Sequence, residues 1–208
     1  SEAFISDSDI NSDDKRGGFV LVLANQKTDV DSAGGSGAGG IAGVGAAIDI
    51  NIINNTTRAY IDDTDASTNP NSVFAQDLVV TSLSEISINT VVMGASLGGF
   101  GGTGVVSTIK DTSTTESFVN RVSLTTNSSA NIYARSYVGA TFVDGSLAVG
   151  GAGVGATVAV GTFDGTTNAY IAGSSLDIGG QLSTESRAVS YTHLRAHETR
   201  GNLVCRLL

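Results

Sequence analysis

From Val44 to Ile52 the chain alternates strictly, with Val44, Ala46, Ile48, Ile50 and Ile52 on one set of positions and Gly45, Ala47, Asp49 and Asn51 on the other. A period of two marks a β-strand with one face inward and one outward, and the simplest reading puts the Val and Ile positions inside. The pattern returns at Val154, Ala156, Val158 and Val160, set against Gly153, Gly155, Thr157 and Ala159. After each strand a turn is predicted, at Asn54-Asn55-Thr56-Thr57 and at Asp164-Gly165-Thr166-Thr167. Asn, Asp and Gly tolerate left-handed backbone angles, and Thr resumes a strand. Arg58-Ala59-Tyr60-Ile61 and Asn168-Ala169-Tyr170-Ile171 then form a second short strand, each Tyr read as a packing residue.

These two blocks match at one constant offset without a gap, and a more worn copy lies between them. It runs from Gly101 to Ile109 and then from Thr114 to Val119, and reads as one residue shorter inside, with Ser107 in the place of Ile48 and Val158. The chain is therefore a tandem array of units of about fifty to sixty residues, each too small to stand alone. Units are expected near 39–97, 98–150 and 151–186, inside an array spanning 18–186, after an acidic polar lead-in at 1–17. Phe19 to Ala24 reads as the end of a preceding unit and Lys27 to Ser36 as a polar turn.

The stretches between copies, Ser72 to Leu97, Val122 to Leu147 and Ser174 to Ser186, alternate loosely and lack the helices that a doubly wound sheet needs. The predicted fold is all-β: a right-handed parallel β-helix, or solenoid, built from the repeats. Coils of about twenty residues would stack ~4.8 Å apart, two or three to a unit. The Gly- and Ala-rich strand fits this least well, and suggests a sheet packed closely by something else or a narrow corner of the coil.

Composition agrees with short strands and turns: 27 Gly, one Pro, no Trp and 15% charged residues. A net charge of −9 without a basic stripe argues against nucleic acid. The longest apolar candidate, Ile41 to Ile53, is interrupted by Asp49 and Asn51, so no membrane-spanning helix is expected. The start at Ser1 without a charged and apolar leader is read as that of a fragment.

The tail shares nothing with the repeats. Residues 187–208 are read as non-native, because Val189 to Leu208 (VSYTHLRAHETRGNLVCRLL) resembles a translated sequencing-library adapter, with Arg200-Gly201 at the variable index. The tail holds both His and the one Cys. On a helix His193 and His197 could meet at one zinc, with Glu198 and Cys205 near, but the order H-x-x-x-H-E puts the general base in the wrong place. Without the tail the chain has neither thiol nor imidazole, which suits export through an oxidising envelope.

Other motifs are weak. Asp7, Asp9, Asn11 and Asp13 alternate like the start of a calcium loop, but Ser12 and Gly18 stand where such a loop needs Gly and Glu, so a solvated turn is expected. Two G-x-G-x-x-G matches, Gly35-Gly37-Gly40 and Gly99-Gly101-Gly104, lead into strands and not into the helix that would meet a pyrophosphate. Asp62, Asp63 and Asp65 are the densest carboxylates of the array. On the β-helix of a polysaccharide lyase such a cluster would bind calcium or work as acid and base, while a solvated loop is the plainer expectation. Sequons at Asn54, Asn55 and Asn127 are common by chance in so Asn- and Thr-rich a chain.

At the block GxGVGAxVxV followed by NTTxAYI, roughly from Gly18 to Ser186, the chain resembles the leukotoxin-type, haemagglutinin-like filamentous adhesins of outer-membrane bacteria. The resemblance implies a long β-helical passenger exported by a type V-like system to the cell surface or beyond, contacting host-cell or other extracellular ligands. It implies a structural and attachment role without catalysis, cofactor or metal, and it carries over no site residue. The alternative is a fragment of a carbohydrate-active β-helix enzyme, a lyase or glycosidase, resting on Asp62, Asp63 and Asp65.

Overall fold

The computed structural model describes residues 1–11, 18–65 and 70–198. Twelve strands follow one another: β1 (Glu2–Ser6), β2 (Phe19–Ile53), β3 (Thr56–Asp62), β4 (Ser72–Ala75), β5 (Asp77–Asp111), β6 (Thr114–Asn120), β7 (Ser123–Thr126), β8 (Ala130–Val149), β9 (Ala152–Phe163), β10 (Thr166–Ala172), β11 (Ser175–Ile178) and β12 (Leu182–Glu198). Every pairing between them is parallel. The sheets stack β1-β3-β6-β10, β4-β7-β11 and β2-β5-β8-β12, with β9 also on β5. This is an all-β parallel β-helix made of tandem repeats.

One repeat makes one coil. Arg58 meets Glu116 on the next coil, 58 residues on, and Phe19 pairs with Asp77 at the same separation. Ser129 meets Asp77 across 52 residues, and Leu78 pairs with Ala130 at that separation. A full turn therefore takes 52 to 58 residues and not about twenty. The two steps together give the offset of the outer copies. The middle copy is also not shorter inside. Ile48 pairs with Val106 and Val106 with Val158, while Ser107 falls level with Asp49 and Ala159.

The coil is this long because its longest strand doubles back. In β2 the chain runs out from Phe19, turns near Gly40 and returns through Ile53, and side chains of the two arms meet across the interior. Ser32 Oγ donates to Asp49 Oδ2 at 2.7 Å, and Asn55 Nδ2 to Thr28 Oγ1 at 2.9 Å. Thr57 Oγ1 donates to Gln26 Oε1 at 2.9 Å. The outgoing arm is about twenty residues long, or ~65 Å of strand, and the returning arm is about thirteen before the corner at Asn54. Phe19 to Ala24 therefore opens the first coil, and Lys27 to Ser36 is strand and not turn.

Between the arms the space tapers. At the wide end sits the main core, with Val22, Leu78, Val80, Leu124 and Ile132 fully or almost fully buried. Farther along lies a second cluster around Ile86, Ile88, Ile109 and Phe142. Near the turn the arms nearly touch: a Cβ on Gly43 would come within 3.3 Å of the Ala38 backbone. Only small side chains fit there, and this accounts for the Gly- and Ala-rich strand.

The taper also reverses the expected facing of that strand. Gly43, Gly45 and Ala47 point inward, while Val44, Ile48, Ile50 and Ile52 are 62% to 84% exposed. In the third coil Val154, Val158 and Val160 are likewise exposed. Past Ala47 the inward positions are polar and matched: Asn51 Nδ2 donates to Ser32 Oγ at 2.9 Å and to Asp49 Oδ2 at 2.8 Å.

One buried carboxyl is less well served. Asp144 lies 3% exposed and accepts from Ser107 Oγ through Oδ2, whereas its Oδ1 has no partner among the described residues. Burial pushes its pKa above the ordinary carboxylate value, the Ser107 hydroxyl pulls it back in part, and the Asp49 carboxylate adds to the push. A raised native pKa favours folding below the unfolded-state value and withdraws that contribution as pH climbs through the native one. Asp144→Asn is therefore expected to melt above wild type at neutral pH, with the gain vanishing below about pH 4. Thermal unfolding followed across that range checks it.

Candidate functional site

The β1-β3-β6-β10 sheet carries the most regular outer surface. Parallel pairing without slip sets Phe4, Tyr60, Phe118 and Tyr170 at one level. Their rings stack with centroids 5.3, 4.8 and 5.0 Å apart and planes within 10°. The coil spacing imposes this geometry, since ring faces at ~4.8 Å are in contact. A sugar-binding platform needs bare ring faces, but here each inner ring is covered on both sides and shows its edge. Burial raises the Tyr170 phenol above its ordinary pKa, with Glu116 adding, Arg58 opposing and Asp62 adding again. The ladder is structural glue on an outer face, in keeping with the packing role expected for the Tyr residues.

Each stacked aromatic pair contributes about 0.5–1.5 kcal/mol beyond the area it buries. Phe118→Ala breaks two stacks and Phe4→Ala one. The first is expected to cost roughly twice the second, read from denaturant unfolding midpoints.

Charges run beside the rings. Arg58 Nε meets Glu116 Oε2 at 2.9 Å, and its Nη1 lies 3.9 Å from Glu2 Oε1. On the other side Asn120 Nδ2 donates to Asp62 Oδ1 at 2.9 Å, and Arg121 Nη2 approaches the same oxygen at 3.3 Å. Arg121 was not legible next to Asp62 because it comes 59 residues later. The signal is the register between coils, which places it one coil above Asp63. It serves Asp62 as a charge partner.

The structure does not gather the aspartates into one centre. Asp62 faces outward into the ladder just described. Asp63 is buried, and its two oxygens accept the backbone N–H of Asp65 at 3.0 Å and of Asn71 at 2.9 Å, shaping the loop. Among the described residues no group of three His, Cys, Asp or Glu side chains is placed to hold a metal ion.

The amino-terminal acids serve the next coil. Asp7, at φ 51°, accepts from Thr64 N and Oγ1 at 2.7 and 2.8 Å, which lowers its pKa. Asp9 Oδ1 accepts from Ser72 N, and Asn11 Nδ2 donates to the Phe74 carbonyl. Ser12 and Asp13 lie outside the described residues. The glycine motifs at Gly35-Gly37-Gly40 and Gly99-Gly101-Gly104 lie within β2 and β5, so neither opens a helix.

In the tail, β12 continues through Val189 to Glu198 in register with β8. His193 and His197 thus stand four residues apart on a strand, ~13 Å along it, and not one turn apart on a helix. Cys205 and the index residues Arg200 and Gly201 lie outside the described residues. A shallow groove of about 480 Å³ on the outgoing arms is lined by Gly35, Met93, Ala95, Gly145 and Leu147 among others, without a charged group.

The class defined by this geometry is a parallel β-helix whose outer faces repeat coil by coil. No family model, curated protein or solved structure matches the chain. No helix among the described residues is long and apolar enough to cross a membrane.

Proposed function

We propose that the chain is an internal segment of a large bacterial adhesin, displayed on the cell surface or secreted, with a structural and attachment role and no catalysis. The observation that carries this reading is the repetition of an outward aromatic ring at one level of every coil, the four-ring ladder whose edges face outward. A surface that repeats suits many weak, similar contacts, whose combined avidity exceeds that of any single one. A catalyst needs one focused constellation, and two of the three clustered aspartates are already committed to Asn120, Arg121 and the loop backbone.

Each coil adds only ~4.8 Å of height for all the residues of one repeat. Repetition here therefore supplies broad lateral area more than reach. Host-cell or other extracellular glycans and proteins are the proposed ligands.

The test is to present the full chain, immobilised at high and low density, to cell-surface glycoproteins and acidic polysaccharides. Binding that strengthens steeply with density, without release of new sugar ends, is expected. Depolymerisation of a polysaccharide that is lost in Asp62→Asn would replace this reading with the carbohydrate-active one.

A further inference from the structure

The returning arms of the first three coils expose an aliphatic face that nothing among the described residues covers. Val44, Ile48, Ile50 and Ile52, then Val106, then Val154, Val158 and Val160 all point outward, 38% to 84% exposed. Eight such side chains in register amount to on the order of 800 Å² of apolar surface, which exceeds the usual largest patch on a monomer and matches one partner's share of a standard interface.

We propose that this face pairs with the same face of a second copy of the chain, sheet against sheet, about a two-fold axis along the stacking direction. Three features favour a second copy. The first is charge: the chain carries −9 overall, yet the outward positions from Val44 to Ile52 and their equivalents in the next two coils hold no carboxylate. Asp49 and Asp111 on these strands turn inward, and Lys110 is the one charged side chain facing out. Copies of an acidic protein meet here with the least repulsion.

The second is shape. At Gly102 and Gly104 the strand of the second coil is hollow, since a Cβ at either would touch nothing within 4 Å, whereas its other end carries the outward side chains of Thr108 and Lys110. The proposed axis lays facing strands antiparallel and keeps each coil level with its counterpart, so the hollow at Gly102 and Gly104 receives the Thr108 and Lys110 side chains of the other copy. The third is continuity: the axis keeps both stacks pointing the same way, so every further repeat extends the same contact. The pairing is isologous and closes at two.

The experiment is analytical ultracentrifugation of the full chain and two double variants, with circular dichroism confirming that each keeps its β spectrum. Wild type is expected to saturate at a dimer. Ile48→Lys with Val158→Lys is expected to weaken dimerisation by about 100-fold or more, because facing charges in an apolar contact repel and are desolvated. Leu21→Lys with Leu23→Lys, on the opposite broad face, is expected to leave it unchanged. Should the first variant lose its β spectrum, Thr108→Arg at the half-exposed centre of the face gives the same reading.

Assembly insensitive to the face variants overturns the proposal, as does open-ended growth through the strand edges. Binding of the wild type to neutral phosphatidylcholine vesicles that disappears in the variant overturns it too, since lipid would then be the occupant. The dimer stands or falls apart from the adhesin reading, which is tested by surface ligands.

Discussion

Gly98→Ala is expected to destabilise the fold by about 2–4 kcal/mol, a large loss for one methyl group. Gly40 and Gly98 sit on top of one another where the long strand doubles back, and Gly150 follows in the third coil. A Cβ on Gly98 would overlap the Gly40 carbonyl oxygen, and one on Gly150 would overlap that of Gly98. Both obstacles are backbone, so the coils must separate at the turn to admit it. Gly40 itself, at φ 137°, holds a conformation that side chains resist. By contrast Gly104→Ala, facing open space, is expected to be neutral or mildly stabilising. Urea unfolding of the three proteins side by side checks the contrast.

The second large effect is expected at Phe142. Its ring is 1% exposed and anchors the cluster formed by Ile53, Ile86, Ile88, Ile109, Val138 and Ala140, drawn from three successive coils. Phe142→Ala leaves a cavity that straight, hydrogen-bonded strands cannot collapse around, and about 3–5 kcal/mol is expected to be lost. Phe100→Ala removes the same atoms from a position 68% exposed and is expected to change stability by no more than about 0.5 kcal/mol. Differential scanning calorimetry of the two variants measures both.

The strands and their repetition were legible because alternation and a constant offset between copies are visible in the residues themselves. The corner at Asn54 and Asn55 was legible too, for turn chemistry is local as well, and β2 does end at Ile53 with β3 beginning at Thr56. Coil length was not, since it depends on the long strand folding back, and the sign of that event is the run of glycines about Gly40, which in sequence resembles any flexible linker.

Facing is the reverse of what hydrophobicity alone predicts, for the same reason. Hydrophobicity placed Val44 and Ile48 inside, but the narrow end of the coil selects for volume, and Gly43, Gly45 and Ala47 are what fit. Farther along, Asp49 and Asn51 turn inward because Ser32 and Thr90 meet them there, partners 17 and 39 residues distant that no local pattern announces. At the candidate site the aspartates were visible, while Arg121 became their neighbour only through the register between coils.

The most direct test of one repeat per coil is a distance between spin labels at positions 116 and 168, with Cys205 replaced by serine. Both side chains lie on the outer face of the ladder sheet, and their Cα atoms are partners in neighbouring strands. Strong dipolar broadening, from labels within about 10 Å, is the predicted result, given a strand spacing of ~4.8 Å. Coils of about twenty residues would set the two positions more than two coils apart and out of line, and a spectrum without broadening would contradict the account.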